Sequence, residues 1–191
     1  MNSIKSLYAL TLLVVISAAC KNDNKQASES GPKNRIAIAN DFINAFYSFD
    51  ADSLRSILAN APESQPEILY YQKWAECAHY EVKKRGKFTE KGEFTVSCPI
   101  TVKDDLMAAL KIDFNVTDTF DLTIEEGKIT SVKTSSNDVE EYYSAKDWVN
   151  KERPEYVAKA CEGIWAGGPT PCECVQGMVK GFTDYTAREA K

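Results

Sequence analysis

The sequence predicts an α+β fold, with helices first, a run of antiparallel strands in the middle and helices last. Three observations carry this. Apolar residues in 35–47 recur every three or four positions, the spacing of one helix face. Between residues 110 and 134 apolar and polar residues alternate around a Glu126-Gly127 turn, the pattern of a half-buried hairpin. From Asp138 onward the helical spacing returns.

Taken in order, Arg35 to Tyr47 is an amphipathic helix with Ile36, Ala39, Ile43 and Phe46 on one stripe and Phe42 beside it. Asp50 or Asp52 can cap a second helix that uses Leu54, Ile57 and Leu58 and stops at Pro62. After Pro66 a short helical segment runs through Tyr70-Tyr71-Gln72 into Trp74, and Ala75 to Lys84 alternates like a strand. Phe94, Val96, Cys98, Ile100 and Val102 alternate for another, with Pro99 marking an edge or a bulge. Leu110, Ile112, Phe114 and Val116, then Phe120, Leu122 and Ile124, share one parity on either side of Thr117-Asp118-Thr119, which reads as a bend in a long strand. Gly127 can take the positive φ of a tight turn, and Lys128 to Thr134 returns with Ile129 and Val132. Helices follow from Asp138 to about Lys151 and from Pro154 to near Cys161. Thr170-Pro171 then opens a last helix that aligns Val175, Met178, Val179, Phe182 and Tyr185.

The first residues read as an address. Lys5 supplies a positive start, Leu7 to Ile16 an apolar stretch too short to cross a bilayer, and Ser17-Ala18-Ala19 small residues for cleavage before Cys20. The site resembles a bacterial lipobox, in which a signal peptidase cuts before a cysteine that carries lipid. Ser17 stands where the pattern usually has Leu, Val or Ile, and Ser17-Ala18-Ala19 also satisfies ordinary secretory cleavage. The polar run Lys21-Asn22-Asp23-Asn24-Lys25-Gln26 favours an acylated Cys20 on a flexible tether. Lys21, where the family's inner-membrane retention signal would place Asp, resembles an outer-membrane destination, facing periplasm or surface. Without acylation the protein would be periplasmic or secreted. The organisation expected is a signal peptide at 1–19, an anchor and tether at 20–34, one domain at 35–151 and a disulfide-stapled helical extension at 152–191.

Removing residues 1–19, which hold one Lys and no acid, leaves 172 of the 191 residues and moves the formal net charge from −5 to −6. That length and an apolar fraction of 43% suit one domain with a real core. The acidic balance with scattered lysines argues against nucleic acid and against a basic membrane-binding face, leaving the membrane to a lipid anchor alone.

Six cysteines fit export to an oxidising compartment. An acylated Cys20 leaves five, Cys77, Cys98, Cys161, Cys172 and Cys174, so one stays unpaired; a free Cys20 permits three bridges. Cys161 with Cys172 or Cys174 is the expected pair, because Gly167-Gly168-Pro169 lets the chain double back. Cys77 with Cys98 is a further candidate and requires a bulge or register offset to bring both to one face. Cys172-x-Cys174 at a helix start points its side chains roughly 200° apart, which suits one bridged and one buried cysteine better than chelation.

Several phrases resemble the nuclear transport factor 2-like, or SnoaL-like, superfamily: Phe42 to Tyr47, Tyr70 to Glu76, Thr119 to Ile129 and Ser135 to Asp138. The resemblance implies a cone, in which a strongly curved antiparallel sheet wraps the N-terminal helices and leaves a pocket at its wide end. It also implies a range of roles, from isomerases, dehydratases and hydrolases to ligand-binding modules and dimerising scaffolds, and does not choose among them.

An enzyme would need an acid and a base facing one pocket. The candidates are Asp118, His79 and Tyr71, with Tyr70 and Asp121 of suitable type. Asp118 keeps the inward parity of Val116 and Phe120 and could carry a raised pKa, unless it merely bonds local backbone in a bulge. His79, the one histidine, shares parity with Cys77 and Glu81 and suits a structural role. Tyr70, Trp74, Tyr80, Phe114 and Phe120 are candidate pocket walls. A single histidine without His-x-x-x-His or Cys-x-x-Cys leaves no zinc set, and no P-loop is present. No metal or cofactor is therefore expected. Asn115-Val116-Thr117 matches a glycosylation acceptor but lies within a strand. The favoured expectation is an envelope-tethered module whose pocket holds a small apolar molecule or a partner protein. The alternatives are an enzyme using Asp118 and a structural homodimer. The dimer is disfavoured because the outward positions of 120–134 are Asp121, Thr123, Lys128, Thr130 and Lys133.

Overall fold

The first helix, α1 (Arg35–Phe46), starts where the Asn34 side chain accepts from the Ile36 amide at 2.9 Å, and it buries Ala39, Phe42, Ile43 and Phe46. Asp50 caps α2 (Ala51–Ile57) by accepting from the amides of Asp52 and Ser53. These belong to a computed structural model that describes residues 34–162 and 172–189. The signal segment, Cys20, the tether up to residue 33, Gly167-Gly168-Pro169 and Thr170-Pro171 lie outside the described residues.

A third helix, α3 (Gln65–Cys77), carries Pro66 in its first turn, where the missing N–H costs nothing. It is longer than the sequence reading, and residues 75–77 are helical rather than extended. The reason is visible in its contacts. The Gln72 side-chain amide donates to the Ala45 and Phe46 carbonyls at the end of α1, at 3.0 and 3.1 Å, and Ala75 and Cys77 are buried on the same helix. The chain reverses at His79, which takes a positive φ of 51°, and only then becomes strand.

The strands form one open antiparallel sheet. In order they are β1 (Glu81–Arg85), β2 (Thr89–Lys91), β3 (Thr95–Lys103), β4 (Val116–Glu125) and β5 (Lys128–Ser136). β3, β4 and β5 lie side by side, while β1 and β2 share the other edge of β3, one along each half. Pro99 faces the break between them. The Gly86 amide donates to the Pro99 carbonyl at 2.8 Å. In an antiparallel strand a residue's N–H and C=O point to the same side, so the donor that proline lacks would meet only this gap. Gly86 is required there, since a Cβ would fall 2.7 Å from the Pro99 ring.

Between β3 and β4 the chain forms α4 (Asp105–Leu110), a helix where the sequence reading had the start of a long strand. Asp104 caps it by accepting from the Met107 amide at 2.9 Å, and Lys111 ends it with a left-handed φ of 57°. Leu106, Met107 and Leu110 are buried by helical spacing; the alternation of 110–116 is thus the tail of one element and the lead into another. The β4–β5 turn is as expected, with positive φ at both Glu126 and Gly127.

Three more helices follow among the described residues, α5 (Glu140–Glu152), α6 (Pro154–Val157) and α7 (Cys172–Glu189). α7 packs against α4, α5, α6 and α3, burying Val175, Met178, Phe182 and Tyr185. Its first turn is bonded twice. Cys172 is joined to Cys77 at the end of α3 and Cys174 to Cys161 beyond α6, with Cα separations of 5.1 and 4.8 Å. The Cys172-x-Cys174 side chains diverge as helix geometry requires, but both are bridged, to different partners. Cys77 therefore does not pair with Cys98, which keeps a free thiol inside the core.

The core lies between the sheet's inner face and the helices. Phe120 of β4 meets Phe46 and Phe42 of α1 edge-on, at ring separations of 4.8 and 5.5 Å, and Tyr71 of α3 stacks on it at 6.0 Å. Such pairs contribute roughly 0.5–1.5 kcal/mol each beyond buried area. No described helix is long and apolar enough to cross a membrane.

Candidate functional site

Val116, Asp118, Phe120, Leu122 and Ile124 all point from β4 to the inner face, and all are buried. Strand alternation thus puts one carboxylate in a row of hydrophobes. Asp118 lies in regular register between Ile100 of β3 and Ser136 of β5. The bend expected at Thr117-Asp118-Thr119 does not form; the irregularity in this pairing falls at Thr123/Ile124. Asp118 consequently has no local backbone partner of the kind a bulge would provide.

Beyond Phe120 the core opens into a cavity of about 530 Å³. Tyr70, Tyr71 and Trp74 of α3 form one wall, with Tyr80 after the His79 turn. Asp104, Leu106 and Met107 line it from the start of α4, and Asp138 and Tyr142 from the approach to α5 and its first turn. Thr134 and Ser136 complete the floor. They are the register partners of Phe120 and Asp118, so the inner face of β5 changes from apolar Val132 to small polar residues where the cavity begins.

Asp118 is 1% exposed, and neither carboxylate oxygen reaches a partner at full hydrogen-bond geometry. Burial pushes its pKa up to about 7 against the hydroxyls of Tyr71 and Tyr47, which approach as loose donors, while the charges of Asp138 and Asp104 push it further up. Asp104 is raised to about 6, by burial first, although its cap bonds to the Met107 and Leu106 amides oppose this. Burial and the neighbouring acids raise the phenols of Tyr47, Tyr71, Tyr80 and Tyr142 as well. They remain neutral donors at any physiological pH.

The sequence candidates divide clearly. Asp118, Tyr70, Tyr71, Trp74 and Tyr80 line this cavity. His79 does not. It sits on the surface with its side chain 72% exposed and its Nδ1 2.6 Å from Asp105. Phe120 lies beneath the cavity in the aromatic core, and Phe114 lines a separate groove with Ile112, Val139 and Tyr185. Asp121 points to the outer face beside Lys91. Asp104, Asp138, Met107 and Tyr142 were not recognised from sequence. Asp104-Asp105 ahead of Leu106-Met107 was the available signal, as a helix cap. Among the described residues no cluster of His, Cys, Asp or Glu is arranged to hold a metal ion. The arrangement can bind a small molecule with an apolar body and can hold or move a proton at Asp118.

No family model matches this chain, and no curated protein matches it. One similar solved structure is a protein of unknown function with a cystatin-like fold from Xanthomonas campestris. It is 19% identical over 55% of this chain and 92% of that one, with a TM-score of 0.39. The expected membership of the nuclear transport factor 2-like superfamily is corrected, because no family model matches this chain. The phrases behind the resemblance are short β-hairpin and helix patterns that alternation and capping produce in unrelated chains.

Proposed function

We propose that this chain is an exported small-ligand binding module, with the curved sheet wrapping α1 and α3 as a cone whose wide end is the cavity at Asp118. One observation carries the reading: a cavity of about 530 Å³, within the range of small-molecule sites, has aromatic walls and one buried carboxylate that the Tyr71 and Tyr47 hydroxyls approach only loosely. An unsatisfied buried polar group costs about 1–3 kcal/mol, and a site that binds a ligand is where that cost is recovered. The polar outer face of β4 and β5, with Asp121, Thr123, Thr130 and Lys133, offers little to a second copy.

Two disulfides fit an oxidising, exported compartment. Tethering through an acylated Cys20 is the finer part of the proposal. Its support is the cysteine arithmetic. Four cysteines pair with each other, and Cys98 is fully buried with its thiol pushed up to about 12, so Cys20 has no accessible cysteine to bond within the chain.

The test is titration with the neutral hydrophobic dye Nile red. Wild type is expected to take up one dye per chain, and Thr134→Trp, which fills the cavity floor, to take up none. Equal uptake by both would place the dye elsewhere and remove the reading.

A second reading has its own support. A buried carboxyl with a pKa of about 7 is matched to general-base catalysis near neutral pH. It predicts that wild type accelerates proton abstraction from 5-nitrobenzisoxazole, with a rate rising through pH 7 and lost in Asp118→Asn. Equal rates in both proteins reject it.

A further inference from the structure

The cavity's lining is one-sided in charge. Glu67, Asp104, Asp118 and Asp138 all contribute to it, and among the described residues no Lys, Arg or His does. Its remaining walls include the aromatic side chains of Trp74, Tyr80 and Tyr142, and aromatic rings attract cations to their faces. The deepest acid is 1% exposed, and both its oxygens lack donors at full geometry. A group that satisfies it must bring N–H or O–H donors, and one that also balances the acids around it must bring positive charge. A metal ion does not fit, because the acids form no metal-holding cluster among the described residues.

We infer that the ligand of this cavity is a protonated organic amine with a compact apolar body, its ammonium seated on Asp118 and its body against the rings of Trp74 and Tyr80. This rests on the reading of the cavity as a ligand site. A neutral apolar ligand would leave Asp118 with only the loosely placed Tyr71 and Tyr47 hydroxyls, whereas the ammonium supplies both well-placed donors and charge. It also has a proton signature. Tyr47 from α1, Tyr71 from α3, Tyr80 after it, Asp104 at α4 and Asp138 before α5 surround Asp118, with Arg85 of β1 acting on Tyr47. Binding a cation lowers the pKa of Asp118 and Asp104, so near neutrality the complex forms with release of protons.

The experiment is calorimetric titration of wild type, Asp118→Asn and Asp138→Asn with benzylamine and its neutral counterpart benzyl alcohol, at about pH 8 and about pH 5, with Nile red uptake measured in parallel. At the higher pH wild type is expected to prefer the ammonium by about tenfold or more, and in a further titration near neutrality, where Asp118 is partly protonated, to release protons, seen as a dependence on buffer ionisation enthalpy. The preference shrinks at the lower pH, where Asp118 and Asp104 are protonated. It disappears in Asp118→Asn and weakens in Asp138→Asn. Wild type that takes up the dye but binds benzyl alcohol as well as benzylamine overturns the cation inference and leaves the cavity reading standing. A preference that survives in Asp118→Asn also overturns it. Absence of dye uptake in wild type removes the cavity reading and the inference with it. If Asp118→Asn fails to fold, the pH dependence in wild type and the Asp138→Asn result decide in the same sense.

Discussion

Asp118 and Ser136 are register partners at the open end of the β4–β5 pair, and both side chains line the cavity. Farther along the same strands Leu122 faces Val132 in the closed core. The change from apolar to polar pairing between these points is what turns a packed sheet into a site.

Stability should fall as pH rises across the acidic-to-neutral range. Asp118 has a folded pKa of about 7 against an ordinary value of 3.8, so the folded state binds this proton more tightly than the unfolded chain does. The favourable contribution is present at low pH and lost between those two values, at up to about 1.4 kcal/mol per pH unit for one fully titrating group. Thermal melts from mildly acidic to mildly basic pH should show the decline. Asp118→Asn should flatten it, and an unchanged slope in that variant would show that Asp118 is not the group responsible.

Thiol chemistry should follow burial. In the folded protein Cys98 is closed to a water-soluble disulfide reagent; after denaturation without reductant it becomes the one reactive thiol if Cys20 is acylated. Two reactive thiols would contradict the anchor. The Cys77–Cys172 bridge spans 95 residues and Cys161–Cys174 spans 13. In the chain-entropy account the longer loop stabilises more, by about 1–2 kcal/mol. Replacing the first pair with serines should lower the melting temperature more than replacing the second.

Gly177 and Gly181 allow α7 to lie close to its neighbours. A Cβ at Gly177 would stand 2.2 Å from the Tyr156 carbonyl oxygen, and one at Gly181 2.4 Å from a Val149 methyl. Alanine normally gains about 1 kcal/mol over glycine inside a helix. Here the clash reverses the sign, and Gly177→Ala should destabilise by about 1–3 kcal/mol, with Gly181→Ala milder because a side chain can shift more easily than a backbone carbonyl. Denaturant midpoints of the two variants check the order.

His79 should be dispensable for binding. Its contact with Asp105 is exposed, and such pairs contribute about 0–1 kcal/mol. His79→Asn keeps a residue tolerant of the positive φ and should leave Nile red affinity unchanged. A several-fold loss would connect the surface pair to the cavity.

Much of this was legible in the sequence where one short-range signal decided the structure. The Glu126-Gly127 hairpin follows from alternation and a glycine able to take positive φ, and the inward parity of Asp118 from a strict period of two. The α3–β1 boundary was misplaced because His79, a non-glycine residue at positive φ, carries the reversal without a turn signature. The strand assigned from Leu110 failed because helix α4 ends at Lys111, again at positive φ without glycine. The site was half legible. Asp118 announced itself as an acid on an apolar face, but Asp104 and Asp138 reach the cavity from a helix cap and a loop, and only tertiary packing brings them together. The cysteine pairing was legible within 161–174 and not beyond it, since nothing local to Cys77 points to a partner 95 residues away.

The central claim, that the cavity at Asp118 is where this protein holds a small molecule, is tested most directly by methionine-methyl NMR. Met107 lines this cavity, whereas Met178 lines a separate one of about 230 Å³ beside Cys161 and Cys174. Saturating Nile red should shift the Met107 methyl resonance and leave that of Met178 in place. A shift confined to Met178, or none at Met107 while the dye is bound, would contradict the claim.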